Sequence, residues 1–332
     1  MNSRAGTASF ALVAVACLAL PATGYAQASE GSWTPPRTAW GDPDLQGIWN
    51  NNTVVPLQRP AELAARQELT AEEVAVRFHD RASSLFPQDH ADSTTDTSLG
   101  PTRGGVSYNE FWFEWGQDTN RTSLIVDPPD GRLPAATPAE EARQRVRTDS
   151  YIGARFDSLE DFNAFDRCIT RGLPGAMMPG FYNHNYHILQ TPDYVALVVE
   201  MIHDARIIPL DGRGHAPAGI RQWLGDSRGR WEGDTLVIET TNFNAKILRR
   251  GGTVLGGDER LRVVERLRRV DADTIDYQVT VTDPTVWTAP WTASIPMNRR
   301  AEGTLFEYAC HEGNYGLTNI LTGARAAEEP SR

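Results

Sequence analysis

The stretch FYNHNYHILQ, residues 181–190, sets two histidines and two tyrosines within six positions, ahead of a short apolar run. Imidazole and phenol groups exchange protons, and imidazole also ligates metals. On a strand, alternate residues face opposite sides, so His184 and Tyr186 point one way and His187 the other. The spacing is not the His-Glu-x-x-His of a helical zinc site. Both histidines reach one metal only if the chain turns at Asn183 or Asn185. The preferred expectation is therefore a pocket without metal or organic cofactor, to which Tyr186, His184 and His187 offer hydrogen bonds. The alternative is a divalent metal such as Zn held by His184, His187 and His203, or with His311 as the third ligand.

A second group of candidates follows in residues 195–206. As one strand, Val195, Leu197, Val199, Met201 and His203 share an inward face, with Ala196, Val198, Glu200 and Ile202 opposite. A histidine closing an apolar stripe beside a carboxylate has the setting of a general base or acid. The reading makes His203 the proton-transfer group and Asp204 its orienting partner. Glu200 and Arg206 anchor a polar group of the substrate, and His187, Tyr186 and His311 supply opposing donors. The structural alternative makes His203 a turn residue and Glu200–Arg206 a cross-strand ion pair.

The first 26 residues carry Arg4, an apolar run over residues 10–20 and small residues near the end, the layout of a secretory signal peptide. Its removal leaves Cys168 and Cys310, and in an oxidising compartment two remaining cysteines pair. Such a bridge brings residues 181–187 close to CHEGNYG, residues 310–316. A periplasmic or secreted protein is expected. No later stretch is apolar enough for an integral membrane segment.

The elements that must position these groups fall into two halves. Thr70-x-x-Glu73 is a capping box opening a helix to Phe86. Thr137-Pro138-Ala139-Glu140 opens a second, to Tyr151, and residues 158–168 read as a third, shorter helix. Strands are expected over 45–49 and 106–115, and 123–134 reads as a strand running into a turn. From Tyr186 on, short alternating strands and tight turns dominate, the clearest being the hairpin 261–270 and 274–283, where Ile275, Tyr277, Val279 and Val281 share one face. In LRVVERLRRV (261–270) the charges read as a solvated face. Strands are also expected over 291–299 and 304–310. The fold class is thus α+β: an N-terminal arm with two or three helices (27–180), then a lipocalin-like antiparallel β-barrel (181–322) and a disordered tail (323–332).

The formal net charge of −11 disfavours nucleic acid as a partner and leaves a small molecule as the expected one. There is no Gly-x-Ser-x-Gly elbow, phosphate loop or Cys-x-x-Cys, which disfavours serine hydrolases, nucleotide enzymes and dithiol oxidoreductases. The segments PDLQGIW, SLIVDPPDGR, GLPGAMMPG, IHDARIIPLDGR, WLGDSRGRWEGDTLVIETTNF, DPTVWTAPWTA and CHEGNYG together resemble a widespread family of exported bacterial proteins of uncharacterised function. The resemblance spans most of the mature chain and implies export. The barrel half is similar, in architecture alone, to lipocalin-like folds. The leading expectation is an exported enzyme doing cofactor-free acid–base chemistry (lyase, isomerase, hydratase or hydrolase) on a small, partly apolar or aromatic molecule. Its rivals are a non-catalytic carrier of an apolar ligand and a His-ligated metalloenzyme.

Overall fold

The computed structural model describes residues 33–63, 65–85, 113–116, 118–146, 156–180, 182–246, 259–300 and 303–328. Expectations for residues 1–32, for 106–112 of the strand expected over 106–115 and for the end of the second helix lie outside them, and residues 113–115 are not a strand.

Among the described residues ten strands form one antiparallel sheet: β1 (Gly47–Asn50), β2 (Ile125–Asp127), β3 (Asn185–Gln190), β4 (Tyr194–Val199), β5 (Ala205–Pro209), β6 (Asp226–Glu232), β7 (Thr235–Thr241), β8 (Arg262–Arg269), β9 (Thr274–Thr282) and β10 (Trp291–Arg299). The spatial order is β5-β4-β3-β1-β10-β9-β8-β7-β6, with β2 also paired to β10. The N-terminal region therefore does more than pack on the barrel: it supplies two of its strands. In β1, Trp49 lies opposite Tyr186 on one side and Arg299 on the other.

The two ends of this path meet. Arg206 on β5 donates to Ser227 Oγ on β6 at 3.2 Å. A Cβ at Gly229 on β6 would lie 2.9 Å from Ile208 Cγ2 and 2.7 Å from Leu210 Cδ2, so a larger residue there would push these side chains away. Among the described residues the seam is closed by side chains and not by a backbone ladder, which makes the fold a nearly closed antiparallel barrel.

The interior follows from strand alternation. Tyr186 and Ile188, Val195 and Leu197, Leu236 and Ile238, Val263 and Leu267, and Ala293, Ile295 and Met297 are all fully buried. The β8–β9 hairpin forms as expected, with Ile275, Tyr277, Val279 and Val281 at 0% exposure. One charge in it points the other way from expectation: Glu265 shares the inward face of Val263 and Leu267 and is fully buried. Outward, Arg262 pairs with Glu239 and Arg266 with Glu232, a solvated ladder.

Helices are few. α1 (Ala71–Leu85) begins at a reciprocal capping box, Thr70 N to Glu73 Oε2 at 2.9 Å and Glu73 N to Thr70 Oγ1 at 3.3 Å. α2 (Pro138–Val146) starts with Thr137 Oγ1 accepting from Glu140 N. The expected third helix is corrected to a single 3-10 turn, Leu159–Asp161. Ser158 and Asp161 complete a capping box within that turn, and Phe162 then goes extended to stack on Phe156 at 4.7 Å. The expected strand over 304–310 is not one. The tail is also corrected: α3 (Gly316–Glu328) forms there, without one buried residue. Leu317, Ile320, Leu321 and Ala324 carried its helical spacing. No helix among the described residues is long and apolar enough to cross a membrane.

Candidate functional site

The turn after β4 rearranges the expected acid–base group. β4 ends at Val199, and the chain reverses within Glu200–Asp204, closed by Val199 N to Asp204 O at 2.7 Å. Ile202 and His203 take left-handed backbone angles, φ 62° and 50°. That twist drives Ile202 into the core and His203 into solvent, so the single strand expected over 195–203, with His203 on its inner face, is corrected. Asp204 is half-buried, accepts from Thr170 Oγ1 at 2.8 Å, and has its carboxyl pushed up by burial.

Glu200 and Arg206, the expected anchors, are both buried and already engaged. Glu200 accepts from Asn185 Nδ2 and from Phe306 N at 2.9 Å. Asn185 also reaches Glu114, whose carboxylate accepts from Asn50 and Asn52, each at 2.9 Å. Donors fill both carboxylates, so this cluster ties β1, β3 and the 303–310 segment together. Arg206 lies inside the barrel, donating to Glu265 Oε1 at 2.9 Å, Ser227 and Thr240, while Tyr277 OH donates to Glu265 at 3.0 Å. The alternative of a Glu200–Arg206 ion pair is likewise corrected: the partner of Arg206 is Glu265.

His187 is half-buried on β3, opposite Ile48 and Val198, and faces away from Tyr186. His311 is exposed beside Cys310. Among the described residues no three His, Cys, Asp or Glu side chains converge as metal ligands. The set His184, His187 and His203 is split between a buried position, the outer face of a strand and solvent.

The Cys168–Cys310 bridge is formed. It ties the 162–180 stretch, which carries Arg171, to the 303–310 segment. The Arg171 NH1 lies 2.9 Å from His184 Nε2, and its guanidinium lies 5.6 Å over the Phe165 ring. The phenols of Tyr186, Tyr182 and Tyr308 are near enough to interact with it electrostatically. Burial works against the guanidinium charge and lowers the Arg171 pKa from its ordinary value. Among the described residues, no carboxylate pairs with it.

Its neighbours are held neutral. Arginine only donates, so His184 Nε2 accepts and the ring proton sits on Nδ1. Burial first, and the Arg171 charge second, lower the His184 pKa to about 3. Gly180 makes room for this ring: a Cβ there would fall 1.8 Å from His184 Nε2. Tyr186 is fully buried, donates to Ala176 O at 3.2 Å, and burial raises its pKa well above the ordinary phenol value.

Sequence reasoning found His184, Tyr186 and the bridge but missed Arg171, Phe165 and Tyr308. The signal available was position: Arg171 follows Cys168 by three residues and Tyr308 precedes Cys310 by two. It also missed His215, whose Nδ1 lies 2.9 Å from Asp226 Oδ2. Asp226 also accepts from Ala216 N and pairs with Arg228, a set of bonds that pins residues 214–216 to β6.

No protein-family model and no curated protein matches the chain. Among solved structures, a mutant of the fluorescent protein UnaG is similar at 14% identity, over 43% of this chain and 89% of its own, with a TM-score of 0.24. A likeness that slight bears on neither fold nor function, and the barrel rests on this chain's own strand pairing.

Proposed function

We propose that the protein binds a small molecule carrying an anionic group beside an aromatic or apolar body, with Arg171 as the anchor. The observation that carries this reading is the half-buried Arg171 guanidinium, which lies against His184 Nε2 and the Phe165 ring and, among the described residues, has no carboxylate paired with it. A shielded cation without a counter-ion is costly, and an incoming carboxylate, sulfonate or phosphate would relieve that cost. The guanidinium fork suits such groups, and Phe165, Tyr182 and Tyr308 suit an aromatic body. With His184 and Tyr186 both locked neutral near pH 7, this site favours holding a ligand over moving its protons. The binding protein expected as the rival thus draws more support than the acid–base enzyme, whose His203 stands in solvent. The bridge and the N-terminal signal pattern support an exported protein.

The test is competition against anilinonaphthalene sulfonate, a fluorescent aromatic anion, using aromatic and aliphatic carboxylates and their neutral alcohol counterparts. Charge-assisted hydrogen bonds are worth about 1.5–3 kcal/mol, so the acids should displace the probe at about tenfold lower concentration or less. Alcohols that compete as well as the acids would overturn the reading.

A further inference from the structure

One segment of the candidate site belongs to no strand of the barrel. Residues 303–310 do not join the sheet, their Tyr308 lies close enough to Arg171 to interact with it electrostatically, and α3 beyond them buries no side chain. Inward, Tyr308 and Cys310 pack against the core, and Phe306 N reaches Glu200. Further along, Arg325 donates to Phe156 O at 2.8 Å and Asp157 O at 3.2 Å, and Asn314 to Asp166 O at 3.4 Å. Most of these contacts are exposed, where each contributes little. The covalent tie is the bridge. On its other side Cys168 sits in a left-handed turn, φ 55°, with its N–H on Phe165 O, and Arg171 follows three residues later.

We propose that residues 303–310 are a strap forming one wall of the Arg171 site, and that the Cys168–Cys310 bridge is the fastening that sets Tyr308 against a bound ligand. The proposal rests on the binding reading above and adds to it a positioning residue and a redox dependence. Cys168 is buried and Cys310 half-buried, so the sulfur open to attack is that of Cys310. A dithiol reductant such as dithiothreitol attacks it as a thiolate, and the Cys168 sulfur leaves and takes up a proton. The second thiol of the reductant then resolves the mixed disulfide. Two electrons pass: the bridge becomes two thiols and the reductant a cyclic disulfide. The strap, released, no longer holds Tyr308 in place.

The experiment is backbone hydrogen exchange on the full chain in three forms: oxidised, reduced with dithiothreitol, and Cys168→Ser/Cys310→Ser. Exchange over residues 303–316 should rise about tenfold or more on reduction while β3 and β4 stay protected. Release of the fluorescent anion, followed by stopped flow, should quicken about tenfold in the same samples. Reduced wild type decides the matter if the double variant does not fold. A strap that keeps its protection when fully reduced overturns the proposal, and so does a freed strap with an unchanged release rate. The exchange readout needs no ligand, so a failure of the strap is distinguishable from a failure of Arg171 to bind anions.

Discussion

Two arginines, thirty-five positions apart, meet burial in opposite ways. Arg206 lies inside the barrel with its charge matched by Glu265 and its NH2 also donating to Ser227 and Thr240, though its Nε finds no partner among the described residues. Arg171 lies at the bridge with one neutral acceptor, His184, and a surround of aromatic rings. The first closes a seam between β5 and β6. The second is a charge whose complement is not among the described residues. The difference teaches that burial of a charged residue does not by itself mark a site. What marks it is whether the protein has already supplied the partner.

The comparison can be broken most forcefully at the seam. Arg206→Met leaves Glu265 buried and unpaired, and should cost about 3–5 kcal/mol in chemical denaturation. A loss below about 1 kcal/mol would mean that the pair does not close the barrel.

Acid tests the other arginine's neighbour. Folded, His184 stays neutral down to about pH 3, whereas its ordinary value is 6.5. The unfolded chain therefore gains this proton first. Stability is full above about pH 6.5, falls as the pH drops towards 3, and loses nothing more from this group below that. The loss is on the order of a few kcal/mol and should vanish from the pH profile of His184→Gln. A profile identical in wild type and variant would remove His184 from its buried, arginine-facing place.

Gly180→Ala puts a methyl group against that same ring and should cost about 1–3 kcal/mol while weakening anion binding. An unchanged melt would show that the ring does not lie where Arg171 needs it. Smallest of all, His203→Gly should change stability by no more than about 1 kcal/mol, in the stabilising direction, because residue 203 is left-handed and exposed. It should leave anion binding unaltered. A loss of binding in that variant would return His203 to the site.

How much of this was legible depended on whether the deciding force was local. The capping box at Thr70 and the alternation of Ile275, Tyr277, Val279 and Val281 are local patterns that formed as read, whereas at Thr137 the side chain caps Glu140 N but its own N–H goes to Val286 O. The bridge was legible because two cysteines lie beyond the N-terminal stretch that reads as a signal. His203 was not, because the left-handed pair at Ile202 and His203 follows from packing Ile202 into a core assembled by distant strands. Nor was Glu265, which period-two alternation places inside but whose charge argued for outside until Arg206, on a strand far away in sequence, is set beside it. Arg171 shows the same limit: its meaning comes from Phe165, His184, Tyr186 and Tyr308, which only the fold brings together.

The central claim is that Arg171 is the anchor for an anionic ligand, and one titration tests it most directly. The affinity of anilinonaphthalene sulfonate is measured for wild type and Arg171→Met at a pH and temperature where both are fully folded. The account predicts binding weaker by about ten- to a hundredfold in the variant, with a melt equal to or above that of wild type. Equal affinity in the two proteins would contradict it and leave Arg171 a structural residue like Arg206.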